Sequence, residues 1–336
     1  MNDRPDRRRV RSLWAKLALV IIPTGLVLGG LEAAARLYVW KRYGHQNHGM
    51  NWRFHYEPYI LTRTDDRLAD PVPPDDGSFR VLVIGGSTAA LLPSGALEEA
   101  LSPVVGRRVV VINRAQGGYI LNQERLTLLL HGLRTRPDLL LTLDGANDIV
   151  TASKTQRPGI AYANDFVALG VERPVLNGAL GLIRDSQFIN CLNKLRERGI
   201  EGTAQTDEAL LTRTMDHCEE ALHSMAIIAK GLDIPHYMVL QPYLHLKANL
   251  SPDERAVADA YAYRGDYMSK GFRALRERLA QSPLPPNARF VDATRAFDST
   301  PDVCFIDEVH LTEAGNRALV SFIAQAVAAG QSGEAL

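Results

Sequence analysis

Residues Phe79–Thr88 read FRVLVIGGST, and this stretch decides the fold. The run FRVLVI is too short for a buried helix and ends in Gly85-Gly86, as a strand buried on both faces does. The pattern recurs in RVVVIN (108–113), LLLTLDG (139–145), HYMVLQ (236–241) and ARFVDA (288–293). Helical stretches separate these runs: GALEEALSPVV (95–105), LNQERLTLLLHGLRT (121–135), 207–230, 252–281 and 311–329. Leucines 126, 129, 130 and 133 are expected on one helix face, and Thr312 is expected to cap the last helix. Five β-α units in series predict an α/β domain with a five-stranded parallel sheet between two helical layers. Such sheets bind ligands beyond the carboxyl ends of their strands.

The residues just after each strand therefore carry the chemical information. Gly85-Gly86-Ser87-Thr88 puts a serine on a strand-to-helix turn, with its hydroxyl exposed and its amide at a helix start, as a nucleophile requires. Asn113-Arg-Ala-Gln-Gly-Gly118-Tyr119 supplies glycines that allow close backbone approach. Asp144-Gly-Ala-Asn147-Asp148 supplies an amide that can donate to developing negative charge. Asp307-Glu-Val-His310 stands just before the last helix. Serine, histidine and aspartate at one sheet edge point to nucleophilic acyl transfer. The glycine pattern lacks G-x-G-x-x-G and G-K-[ST], which argues against a nucleotide site. Asp144 and Asp148 read as loop hydrogen-bonding groups. His217 and His245 lack metal-ligand spacing, and no metal or cofactor is expected.

The ordered set resembles the SGNH, or GDSL, hydrolase superfamily over about residues 78–330. Ser87 in VLVIGGST matches the nucleophile block, Gly118 in NRAQGGY the glycine block, Asn147 in DGANDI the asparagine block, and Asp307 with His310 the D-x-x-H block. LQP at 240–242 is similar to the membrane-anchored bacterial members. One position departs: the usual G-D-S carries Gly86 where the family has aspartate. The resemblance implies a flavodoxin-like three-layer α/β/α fold and a cofactor-free serine esterase. In that reading Ser87 attacks an ester carbonyl, His310 shuttles the proton and Asp307 orients His310. The Ser87 amide, the Gly118 amide and the Asn147 side chain hold the oxyanion. Expected substrates are O-acetyl or short acyl esters on small molecules or envelope glycans. An O-acyltransferase with the same triad, or a silent polysaccharide-export factor, stands as the alternative.

Composition adds a topology. The 336 residues carry 38 Lys+Arg and 38 Asp+Glu, with 46% hydrophobic residues. That is a folded-protein composition, without the basic excess of a nucleic-acid binder. Yet the first sixteen residues carry a net +4, followed by the uncharged run Leu17–Leu31 with Trp14 and Trp40 on either side. This predicts a basic cytoplasmic tip (1–12), a single transmembrane helix (13–40) and a linker with little regular structure (41–77). The domain follows at 78–330, with an insertion at 151–205 as a substrate-shaping cap. The positive-inside rule places that domain outside the cytoplasm, on the periplasmic face of a bacterial inner membrane. A signal peptide cleaved near Ala33-Ala34-Ala35 is the rival reading. Cys191 and Cys218 either pair as a disulfide in that compartment or remain thiols, with Cys304 apart.

Overall fold

The computed structural model describes residues 7–43, 55–161 and 207–332, with isolated positions between 164 and 195. Two compact units form, Met1–Asn51 with Leu169–Glu197, and Trp52–Ala168 with Arg198–Leu336.

In the first unit, α1 (Arg7–Tyr43) is one helix that passes through Pro23. Glu32 and Arg36 pair across one turn at 2.8 Å, as their spacing predicts. Glu32 also accepts from the Ser186 hydroxyl (2.7 Å) and the Phe188 amide (3.0 Å). Leu19, Val20, Leu26, Val27 and Leu28 are all more than half exposed and are spread around the helix. The expected transmembrane span is not found: among the described residues no helix is long and apolar enough to cross a membrane. The expected cap at 151–205 lies mostly outside the described residues. Its first five residues instead complete a helix of the second unit, and Ser186 and Phe188 both bond Glu32.

The second unit holds the sheet. Strands β3 (Phe79–Gly85), β4 (Val109–Asn113), β5 (Leu139–Asp144), β6 (His236–Leu240) and β7 (Ala288–Asp292) are all parallel, in the order β4-β3-β5-β6-β7. This is the expected five-stranded sheet. Strand β3 connects to β4 on one side, and the chain then crosses back to β5 on the other. That reversal opens a crevice at the carboxyl end of β3.

Alternate side chains build the two outer layers. Val81, Val83, Leu141, Leu143, Val239 and Val291 face one apolar core, closed by α3 (Ser94–Val105) and α9 (Glu313–Ser332). Leu82, Ile84, Leu140, Met238 and Leu240 face the other. That core is closed by α4 (Leu121–Thr127), α5 (Ala146–Thr155), α6 (Glu208–Gly231) and α8 (Ala262–Gln281). Helix α7 (Pro252–Ala260) precedes α8. Asp207 caps α6 through Leu210 N, and Thr312 caps α9 through Gly315 N as expected.

Two expectations fail here. After α4 the backbone widens into a π turn over Leu128–Gly132, which rotates the following residues out of the leucine face. Leu129 and Leu130 consequently stand 47% and 43% exposed. The stretch read as an irregular linker also folds: β1 (His55–Glu57) and β2 (Leu61–Arg63) form an antiparallel hairpin. Ile60 and Leu68 are buried against Tyr119. Four arginines fasten the chain beyond the hairpin. Arg67 donates to the Ala90 carbonyl, Arg134 to Leu68, Arg114 to Asp70 and Arg80 to Pro73. Arginine forks reaching carbonyls leave no hydropathy period, so this strap is invisible to pattern reading.

A buried ion pair fixes the far side of the site. Lys247 Nζ donates to both Glu254 oxygens (2.9 and 2.7 Å) and to the Asp302 carbonyl (3.0 Å). Glu254 also accepts from Ser251 N and Cys304 N. Burial alone would raise the Glu254 carboxyl, but Lys247 and these amides outweigh it and hold it below its ordinary range. Removing one partner of such a pair strands the other charge. The variant Lys247→Met is expected to lose on the order of 3 kcal/mol in a denaturant titration.

Candidate active site

Strand β3 delivers Ser87 through two side-chain-free positions. Gly85 has φ +157, and a Cβ there would run into Ala89 and the Leu143 carbonyl. A Cβ at Gly86 would collide with the Asn147 side-chain nitrogen. An aspartate at 86 would occupy the space the asparagine amide uses. Ser87 then opens α2 (Ser87–Ala90), a single turn, so it brings free amides rather than a long helix dipole.

The partner loop arrives 223 residues later. Its neck is pinned by Ile306 N to His310 O (2.8 Å) and Thr312 N to Cys304 O (2.9 Å). Within it, Asp307 Oδ1 accepts the Val309 and His310 amides at 2.9 and 2.8 Å. Asp307 Oδ2 meets His310 Nδ1 at 2.7 Å, and His310 Nε2 meets Ser87 Oγ at 2.7 Å. Burial pushes the Asp307 carboxyl up, but the imidazole and the two amides prevail and hold it ionised below its ordinary value. Neighbouring contacts hold the loop from both sides. Thr88 Oγ1 donates to the Val309 carbonyl, and Glu308 pairs with Arg264 of α8. An aspartate, a histidine and a serine hydroxyl in one hydrogen-bonded line is a nucleophile poised for deprotonation.

The two glycines of NRAQGGY separate cleanly. Gly117 is buried, and its amide donates to Thr64 Oγ1 of the strap at 3.1 Å. Gly118 is exposed with φ +76, and its amide has no partner among the described residues. Gln116 fixes this loop, since its Oε1 accepts from the Thr64 amide and hydroxyl at 2.6 and 2.9 Å. Asn147 Nδ2 donates to the Tyr119 carbonyl at 2.8 Å, which leaves its second hydrogen for a ligand. Ser87, Gly118 and Asn147 thus gather at the ends of β3, β4 and β5. Thr64 and Gln116 carry no signal in the sequence, because their partnership spans 52 residues.

Asp144 and Asp148 read as loop hydrogen-bonding groups, and Asp148 does accept the Leu121 amide. Both are buried, with Glu124 beside them. Burial pushes Asp148 up to about 7, even though the Leu121 amide bonds it and pulls the other way. Burial also pushes Asp144 up to about 6. His217 and His245 are held below the ordinary histidine value, chiefly by burial. Cys191, Cys218 and Cys304 are free thiols, so the alternative of a disulfide is not realised. Burial raises the Cys304 thiol, which removes it as a rival nucleophile. Among the described residues, no group of His, Cys, Asp and Glu is arranged to hold a metal ion.

No protein-family model and no curated protein matches the chain. Solved structures give partial likenesses. The acetyl xylan esterase AlAXEase aligns at 13% identity and TM-score 0.45, covering 74% of this chain and all of that one. The lipase/acylhydrolase from Enterococcus faecalis aligns at 14% and 0.43, covering 75% and 96%. Axe2, an acetylxylan esterase from Geobacillus stearothermophilus, aligns at 16% and 0.43, covering 74% and 94%. Likenesses this distant leave the chemistry to the geometry around Ser87.

The raised Asp148 carboxyl has a signed consequence. Its folded value, about 7, lies above the unfolded 3.8, so its protonation stabilises the fold at low pH and that contribution fades as pH rises from about 4 to 7. His236, held near 3 by burial, acts in the opposite sense over an overlapping range, so Asp148 must be isolated by substitution. Relative to Asp148→Asn, the wild-type protein is expected to lose stability steadily across that window. Parallel curves in thermal unfolding at a series of pH values would contradict this.

Proposed function

We propose that the chain is a serine ester hydrolase of the SGNH type. The observation that carries this reading is the unbroken line from Asp307 through His310 to Ser87, with both contacts at 2.7 Å. Ser87 Oγ attacks the ester carbonyl carbon as His310 Nε2 takes its proton. Asp307 holds the imidazole with Nδ1 protonated and stabilises the imidazolium. The oxyanion that forms is met by the Ser87 and Gly118 amides and the free hydrogen of Asn147. The tetrahedral intermediate collapses, and His310 returns the proton to the leaving alcohol. Water then enters, activated by the same histidine, and releases the acid. The chemistry needs no metal or organic cofactor.

For the substrate we favour short acyl esters, O-acetyl groups on envelope glycans first among them. Support comes from the N-terminal segment. The net +4 tip, the uncharged run Leu17–Leu31 and the exposed apolar side chains of α1 fit a tether that leaves the domain outside the cytoplasm of a bacterial cell. Lys16 and Arg36 would extend the short apolar run by snorkelling to the two interfaces.

Ser87→Ala is expected to abolish hydrolysis of an aryl acetate and labelling by a fluorophosphonate, with the melting temperature unchanged. Full turnover in that variant would overturn the assignment. Adding an oligosaccharide acceptor distinguishes hydrolysis from acyl transfer, because a transferase gives acetylated sugar in place of free acetate. Gly86→Ala is expected to displace the Asn147 amide and lower kcat by about a hundredfold, with KM nearly constant in steady-state assays.

A further inference from the structure

Helix α8 touches both halves of the site. At its centre, Phe272 packs so closely on Gly145 that a Cβ there would meet its ring, and Ile149 of α5 fills the space beside Gly271. Gly145 stands two residues before Asn147, so this contact backs the turn that carries the asparagine. Tyr243, from the loop after β6, stacks on Phe272 with ring centroids 4.8 Å apart. Arg264 stands two turns before Phe272 on the same helix face, with buried Met268 between them. Its guanidinium pairs with Glu308, the residue after Asp307 in the histidine loop.

That loop is braced internally. Asp307 accepts the Val309 and His310 amides and meets the imidazole Nδ1, so acid and base stay together wherever the loop sits. These bonds do not place the loop relative to Ser87, which arrives on a separate strand. Polar contacts that leave the loop do so. Thr88 Oγ1 donates to the Val309 carbonyl at 3.3 Å, Leu244 N to the Glu308 carbonyl at 3.0 Å, and Arg264 to the Glu308 carboxylate. Leu244 follows Tyr243, so its contact also leads back to α8 through the stack on Phe272.

The Arg264 contact joins opposite charges, and Glu308 is 2% exposed. A carboxylate this buried is costly without a cation beside it. The guanidinium is held in turn, 5.5 Å from the ring centroids of both Tyr261 and Tyr263. We propose that Arg264 is a positioning residue that acts through Glu308, fixing the histidine loop against α8 where His310 Nε2 meets Ser87 Oγ. This rests on the hydrolase reading of Ser87. Without the tie, Asp307 and His310 keep their own bond but move together away from the serine. Deprotonation of Ser87 then slows, while substrate binding does not change.

The test compares Arg264→Ala, Glu308→Ala and the double variant R264A/E308A in the full chain. Aryl acetate hydrolysis, fluorophosphonate labelling and thermal unfolding are measured for each. R264A strands a buried carboxylate and is expected to melt earlier than wild type, and the double variant is expected to regain much of that loss. In all three, kcat is expected to fall by about tenfold or more, with KM within about twofold and labelling slowed in proportion to kcat. E308A carries the test should R264A fail to fold. E308Q, whose amide oxygen still accepts from Arg264, is expected to retain more of kcat than E308A. A double variant that regains wild-type kcat along with its stability would show that the stranded charge was the whole effect, and would overturn the proposal. Wild-type kcat in E308A, or a loss that falls on KM, would overturn it too. The two readings fail separately. Labelling of Ser87 at equal rates in wild type and the double variant removes the positioning role alone. A wild-type protein that is not labelled at Ser87 and turns over no ester removes the hydrolase reading, and the positioning role with it.

Discussion

The arrangement at the carboxyl edge of the sheet depends on how closely the Asn147 amide approaches the backbone at Gly86. No side chain separates them, so β5 delivers its donor directly beside the turn that carries Ser87. Once that approach is set, the other positions are constrained in turn. Asn147 bonds the Tyr119 carbonyl, which draws the glycine loop of β4 inward. The strap then closes over that loop, with Thr64 and Gln116 as the clasp. A side chain at position 86 would disturb the crevice through contacts that are not themselves chemical.

Much of this is legible in the residues. Short apolar runs ending in glycine mark the five strands, because strands buried on both faces need apolar side chains at every position. The polar residues after the first three runs, and the Asp307–His310 turn before the last helix, point to Ser87, Gly118, Asn147, Asp307 and His310, because open parallel sheets collect ligands there. Choosing Gly118 over Gly117 rests on adjacency to Tyr119. The structure supplies a physical reason, since the Gly117 amide is already spent on Thr64.

The parts that escape such reading are held together by polar contacts between residues far apart in sequence. The hairpin at 55–63 has no alternating apolar pattern and lies in a proline-rich stretch, so it reads as linker. It is held by Ile60 against Tyr119 and by Tyr119 and Gln123 donating to the Thr62 and Ile60 carbonyls, while arginines reaching carbonyls fasten the chain beyond it. The leucine face after α4 fails for a local reason, one extra residue in a turn. The carboxyls at 124, 144 and 148 read as ordinary helix and loop acids, because burial is a property of the packed whole.

The strap also changes the order in which the protein becomes competent. Residues 62–70 leave the ribosome before the loop they secure, and the histidine loop comes 223 residues after Ser87. Contacts with such long sequence separation form late and only together. No fragment ending before His310 holds both the serine and the histidine bonded to it. A nascent chain therefore carries Ser87 without its histidine partner until residue 310 is made, and the line from Asp307 to Ser87 forms only when the sheet edge is assembled. On the hydrolase reading, that timing is itself a safeguard, built from topology and not from an inhibitor.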